Sequence, residues 1–289
     1  MSSWRTDANF VCQTFNALRV PAEKGSRFAE FERILNRDFI QNDDEDFPGA
    51  VEAIRDVAQL TFIFRTLRGK ISDDTLRRHL RLVVKDSILP QDDAAETIGR
   101  NYQAELLVAS ICSNAGYQVK LTEPDVRVTT DHGDLGIACK RVKSEAQIDN
   151  HIRKAAIQIR DQGVPGIIFL HLGRVYNPKN EALGMIPEDA MKGAHHAATT
   201  RFFDDYLPHI VDWTRWKDVR GIIRYDDFVS QDSPTEWSLS SFWSNASLSP
   251  YSYTCKRRPR DFFNPIEIVN HHQFHEFHNR FTAGQPNAM

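Results

Sequence analysis

From residue 1 to about residue 90, apolar side chains recur at helical intervals. Val51, Ile54, Val57, Ala58, Leu60, Ile63 and Phe64 fall along one face and predict a helix that stops near Gly69. Ser72, followed by Asp73 and Asp74, reads as an N-cap with acids in the first turn. It opens a helix through Leu76, Leu80, Val83 and Val84. Residues 41–48 between these stretches read as an acidic loop. The pattern changes after Pro90. A long helix is expected from about Asp92 to Asn114, stopped by Gly116 just past its end. Short alternating runs then predict strands over 117–121, 125–129 and 135–142. Ser144 is expected to cap a helix through Ile148, Ile152, Ala155, Ala156 and Ile159. The unbroken apolar run starting at Gly166 marks a strand buried on both faces. A helix around Arg201 to Trp216 and a strand from Gly221 to Tyr225 follow. This order predicts an α/β protein built on one mixed sheet. A Ser- and Trp-rich stretch from Thr235 to Tyr253 reads as an added hairpin, and about 265–280 as a terminal helix.

Three regions result: a helical N-terminal part over 1–91, an α/β core over 92–229, and a hairpin-and-helix extension over 230–289. A chain of 289 residues can bury a substantial core. With 36 basic and 39 acidic residues, the net charge of −3 excludes a uniformly cationic nucleic-acid binder but leaves room for a local basic groove. Cys12, Cys112, Cys139 and Cys255 form no CxxC pair, which argues against a disulfide scaffold or a cysteine-rich zinc site. No apolar signal run opens the sequence and no stretch has membrane-spanning length. The expectation is a soluble, cytoplasmic protein with no membrane partner.

The residues that carry chemistry lie around the second and third strands of the core. Pro124-Asp125 opens one strand and Lys140 stands near the end of the next. By strand parity Asp125, Arg127 and Thr129 share a face, as do Gly136, Ala138, Lys140 and Val142. Asp125 and Lys140 are therefore expected at one sheet surface, with open space beside Gly136 and Ala138. Glu105, on the preceding helix, is placed to reach back towards that sheet. A carboxylate and a lysine on neighbouring strand ends can hold a divalent metal and a water beside it, which is the equipment for cutting a phosphodiester.

In these residues, and in the helix–three-strand–helix–strand order, residues 92–229 resemble the PD-(D/E)XK nuclease-like superfamily of restriction endonucleases and Holliday-junction resolvases. The resemblance implies a restriction-endonuclease-like fold and Mg²⁺- or Mn²⁺-dependent hydrolysis of DNA, with RNA as the lesser alternative. It also implies Asp125, the Cys139 carbonyl and Glu105 as metal ligands, and Lys140 as the cation beside the water. The chain departs from the pattern at Ala138, where the family carries its second acid. Glu105 is then the group that must replace it. The rival reading keeps the fold without the chemistry, as a nucleic-acid-binding or protein-interaction module. A third treats the α/β part as scaffold for a helical interaction protein.

Basic residues gather near the site in sequence. Arg141, Lys143, Arg153 and Lys154 are candidate nucleic-acid contacts, and Arg160 lies on the same helix. The denser run Lys256, Arg257, Arg258 follows several aromatics, a mixture suited to phosphates and stacked bases. The same aromatics fit equally well inside a packed hairpin. His271, His275 and His278 have helical spacing for zinc, but surface histidines beside Phe274 and Phe277 are the expected outcome. Homo-oligomerisation is compatible with the sequence. No phosphate-binding glycine loop and no Gly-x-Ser-x-Gly elbow occurs.

Overall fold

In the computed structural model the residues described are 3–21, 26–29, 47–90, 98–131, 133–179, 188–214, 218–233 and 236–247. Four helices come first: α1 (Ser3–Ala17), α2 (Phe47–Leu67), α3 (Asp73–Val83) and α4 (Ile98–Asn114). Strands β1 (Gln118–Lys120), β2 (Val126–Thr130) and β3 (Gly133–Arg141) follow, then α5 (Ile148–Asp161) and β4 (Gly166–His171). The short α6 (Gly173–Tyr176) and long α7 (Glu188–Thr214) lead to β5 (Val219–Ser233) and β6 (Glu236–Ser247).

The strands form one six-stranded sheet in sequential order β1 to β6. Strands β1, β2 and β3 are antiparallel, β3, β4 and β5 are parallel, and β6 returns antiparallel along β5. The mixed α/β architecture expected from the sequence is therefore present. Alternation on the strands explains its two layers. Val126, Val128, Ile137, Cys139, Ile167, Phe169 and Tyr225 pack with the N-terminal helices in the larger core. Ala138, Val142, Ile168, Leu170 and Ile222 face the other way, into a smaller core with residues of α5 and α7. Strand β4 contributes to both, and every one of its residues is buried.

Several local expectations hold. Ser72 caps α3 by accepting the Thr75 N–H at 3.2 Å. Gly116 has φ +94°, a conformation that suits the residue ending α4. Others are corrected. Ser144 makes no side-chain cap; a 3₁₀ turn over Glu145–Gln147 intervenes before α5. The stretch read as a separate C-terminal hairpin supplies the sixth strand of the sheet, because β5 runs on to Ser233 and pairs with β6 along its length. The helix expected around Arg201 to Trp216 begins instead at Glu188. The terminal helix over 265–280, with its histidines, lies outside the described residues.

A polar seam crosses the larger core. Gln103 on α4 donates to Asp56 and Gln59 on α2 at 3.0 and 2.7 Å, and Gln59 donates to Asp227 on β5 at 2.6 Å. Arg27, wholly buried, pairs with Asp56 at 3.1 Å. Among the described residues no helix is long and apolar enough to cross a membrane.

Candidate active site

Two glycines bring the site together. A Cβ on Gly136 would come within 2.7 Å of the Pro124 ring, so its absence lets Pro124, and Asp125 behind it, lie against β3. Gly166 pairs with Gly136 across the sheet, and a Cβ there would meet Ile159 at 2.7 Å. This close approach seats α5 on the sheet and carries Gln158, next to Ile159, over the end of β3. The open space expected beside Gly136 and Ala138 is thus absent. Pro124 and Val164 fill it at Gly136, and Ala138 is fully buried in the smaller core.

Asp125 and Lys140 meet as strand parity requires, with Lys140 Nζ donating to Asp125 Oδ2 at 3.2 Å. The Cys139 backbone N–H donates to the same oxygen at 2.7 Å. The N–H and C=O of a strand residue point the same way, so the Cys139 carbonyl also faces the Asp125 side. Gln158 closes the group. Its Nε2 donates to Asp125 Oδ1 at 2.7 Å and its Oε1 accepts from Lys140 Nζ at 2.7 Å. The Pro124 carbonyl and Glu123 also accept from Nε2, Glu123 at 2.9 Å. Acceptors on one side and an ammonium on the other fix the orientation of this amide.

Glu105 reaches the site from α4, half-buried and making no hydrogen bond or ion pair among the described residues. Burial pushes its carboxyl up to about 8. Asp125 and Glu123 add to the shift and Lys140 opposes it. Burial also raises Asp125, against the pull of Lys140, the Cys139 N–H and Gln158. The Cys139 thiol, buried and beside the same acids, is pushed well above its usual value, so its carbonyl is the better donor to a cation.

Gln158 and His151 carry no role in the sequence reading, yet the structure brings both to Lys140. They lie on α5 with Lys154, at spacings of three and four residues along one flank. His151 is held below its usual value by burial, Lys140 and Lys154, and its Nδ1 is buried with no hydrogen-bond partner among the described residues. The visible signal was this polar flank beside the stripe of Ile148, Ile152, Ala155 and Ile159.

The basic residues grouped by sequence divide between the two faces of the sheet. Arg153 and Lys154 are exposed on α5, on the Lys140 side, and Lys143 is half-buried. Arg160 pairs with Asp161. Arg141 instead lines a cleft with Glu52 and Arg55 of α2, on the opposite face from Lys140. Lys256, Arg257 and Arg258 lie outside the described residues.

Two carboxyl groups and a strand carbonyl gather beside a lysine, and burial first, then the neighbouring Asp125, raises the Glu105 carboxyl to about 8. A divalent cation would relieve the part of that cost that comes from Asp125, so Asp125, Glu105 and the Cys139 carbonyl are the groups that could hold one. No protein-family model matches this chain, and no curated protein matches it in sequence.

Proposed function

We propose that this protein is a metal-dependent nuclease of the restriction-endonuclease-like kind, hydrolysing phosphodiester bonds in DNA. One observation carries the reading: Asp125 is in contact with Lys140 and with the Cys139 N–H, and Glu105 lies near enough for Asp125 to add to the burial that raises its carboxyl. The sequential sheet supports it, because the helix, three antiparallel strands, helix and parallel strand follow the expected order. Asp125, Glu105 and the Cys139 carbonyl would hold the cation. When bound, Mg²⁺ or Mn²⁺ supplies charge stabilisation at phosphorus and lowers the pKa of a water. Lys140, held between Asp125 and Gln158, directs its one remaining N–H donor at the attacking water. Gln158 keeps the Asp125 carboxylate from turning. The exposed Arg153 and Lys154 on α5 provide a cationic flank for the strand.

A second reading has its own observation. Ala138 stands where the resembled family carries an acid, and it is wholly buried under α5. A protein that keeps the fold and binds nucleic acid or a protein partner without cutting would show this packing. Incubation of plasmid, single-stranded DNA and RNA with Mg²⁺ or Mn²⁺ separates the two. The nuclease reading expects metal-dependent cutting that falls at least about a hundredfold in Lys140→Ala, the usual cost of losing one charge-stabilising donor. Retarded migration of DNA with no cutting in either metal favours the binding module, and cutting that survives Lys140→Ala removes Lys140 from the site.

A further inference from the structure

The outer face of α3 carries a strip of basic side chains that takes no part in the Asp125–Lys140 group. Residues 68–85 hold six basic and two acidic side chains, in a chain whose net charge is −3. Leu76, His79, Leu80 and Val83 are the buried residues of α3 and fix which side turns inward. The opposite side presents Arg78 and Arg81, three residues apart, and Lys85, four further on in the turn that follows the helix. The face is firmly seated. Arg77 Nε donates to the Leu18 carbonyl at 2.8 Å, and the His79 ring meets Tyr102 at 5.5 Å, on the helix that also carries Glu105.

The strip is uncompensated. Arg78, Arg81 and Lys85 are exposed, and none makes a hydrogen bond or ion pair among the described residues. The acid on their side of the helix, Asp74, is taken by Arg77 at 2.7 Å. Like charges at this spacing repel along a helix, a cost that a polyanion laid across them removes. From Arg78 to Lys85 the row is ~10 Å long, and a duplex presents one charge per ~1.7 Å of its axis, so about six phosphate charges would face it. A membrane surface needs apolar side chains to insert, and Leu82, at the margin of the face, is half-buried. A protein interface has a centre poor in charge and rich in aromatics, the reverse of this face.

We propose that the outer face of α3 is a docking surface for the phosphate backbone of duplex DNA, with Arg78, Arg81 and Lys85 as its contacts. Contacts to phosphate carry no sequence information, so the surface holds duplexes without regard to sequence. It is a second surface, on a different helix from the Arg153 and Lys154 flank of α5. In a nuclease it would keep the duplex on the protein between encounters with the site, because phosphate-bound proteins slide and hop along DNA. The docking itself does not depend on the nuclease reading.

Fluorescence anisotropy of short labelled duplexes of two unrelated sequences tests this, with the full chain in EDTA so that the duplexes stay whole. Binding is expected to weaken linearly in log K against log salt. Combining Arg78→Gln, Arg81→Gln and Lys85→Gln should flatten that slope by about 2–3 and weaken binding in low salt at least about tenfold, by the same factor for both sequences. Glutamine is a good helix former, and should the triple variant still not fold, Arg78→Gln and Lys85→Gln are read singly, each flattening the slope by about 1. Lys120→Gln removes the same charge from exposed β1 and is expected to leave the slope unchanged. The proposal is overturned by absence of duplex binding, by a slope unaltered in the α3 variants, by equal loss in Lys120→Gln, or by a loss confined to one sequence. Binding of polyglutamate or of anionic vesicles that needs the strip and exceeds that of the duplex overturns it too. Strip-dependent binding in a protein that cuts no DNA would leave this surface standing and remove the nuclease reading alone. Cutting without strip-dependent binding would do the reverse.

Discussion

At the scale of single residues, the site is governed by how one carboxylate is shared. Asp125 accepts three hydrogen bonds, from Cys139, Lys140 and Gln158, and the last of these is the only one supplied by a helix. Gln158→Ala is expected to destabilise the protein by about 1–2 kcal/mol, because Asp125 and Lys140 each lose a partner. Chemical denaturation measures that cost, and an unchanged midpoint would contradict it. Glu105 gives a pH signature. Its folded-state pKa is raised to about 8 from the ordinary 4.5. The folded state therefore holds the extra proton between those values, and the stabilisation, complete below about 4.5, is lost as pH rises towards 8. Without divalent cations, unfolding free energy should fall from pH 5 to 8 more steeply in wild type than in Glu105→Gln. The expected difference is on the order of 2 kcal/mol, discounted from the full shift because the carboxyl is partly exposed. Parallel profiles would show that burial and Asp125 do not raise the Glu105 carboxyl. Asp227 behaves oppositely. Despite burial, His171, Arg55 and Arg141 hold it well below the usual carboxylate range, so its contribution disappears only in strong acid.

At the scale of elements, close approach decides the geometry. Gly136→Ala should cost about 1–3 kcal/mol, since the new methyl meets Pro124 and Val164 and β2 must shift away from β3. Cleavage should fall with it, because Asp125 follows Pro124; stability and activity that both survive would mean the glycine contact is not what places Asp125. Much of this level was legible in the sequence. Helical spacing located α2, the Ser72 signal located the start of α3, and strand parity put Asp125 and Lys140 on one surface. What escaped was tertiary. Parity says which face Ala138 occupies but not that α5 covers it, and the empty-looking Gly136 is the seat of Pro124. Gln158 reads as one polar residue on a helix flank until Gly166 is seen to bring that helix down on the sheet. The Ser- and Trp-rich stretch carried no apolar alternation strong enough to join it to the sheet, whereas its pairing with β5 does so. Arg141 and Lys140, adjacent in sequence, looked like one basic patch; a strand sends neighbours to opposite faces.

At the scale of the molecule, the N-terminal helices and the sheet form one larger core joined by buried charge. Arg55 of α2 is bound to Glu52 on its own helix and to Asp227 on β5 at 3.2 Å, and Gln59 meets Asp227 as well. Removing one member strands the others in a dry interior, so Arg55→Ala should cost about 3–5 kcal/mol. It should also lower the common unfolding transition of helices and sheet. A separate transition for the N-terminal helices, unmoved by Arg55→Ala, would contradict this coupling. The nuclease reading depends on neither substrate nor partner at its root; it depends on the donor set of Asp125, Glu105 and the Cys139 carbonyl. Binding of Mn²⁺ to the purified chain, followed by the loss of its free-ion paramagnetic resonance signal, tests that set directly. One ion per chain, held below about 1 mM at pH 8, abolished by Asp125→Asn and weakened by Glu105→Gln, is the predicted result. Absence of saturable binding in the wild type, or binding indifferent to Asp125→Asn, would contradict the account.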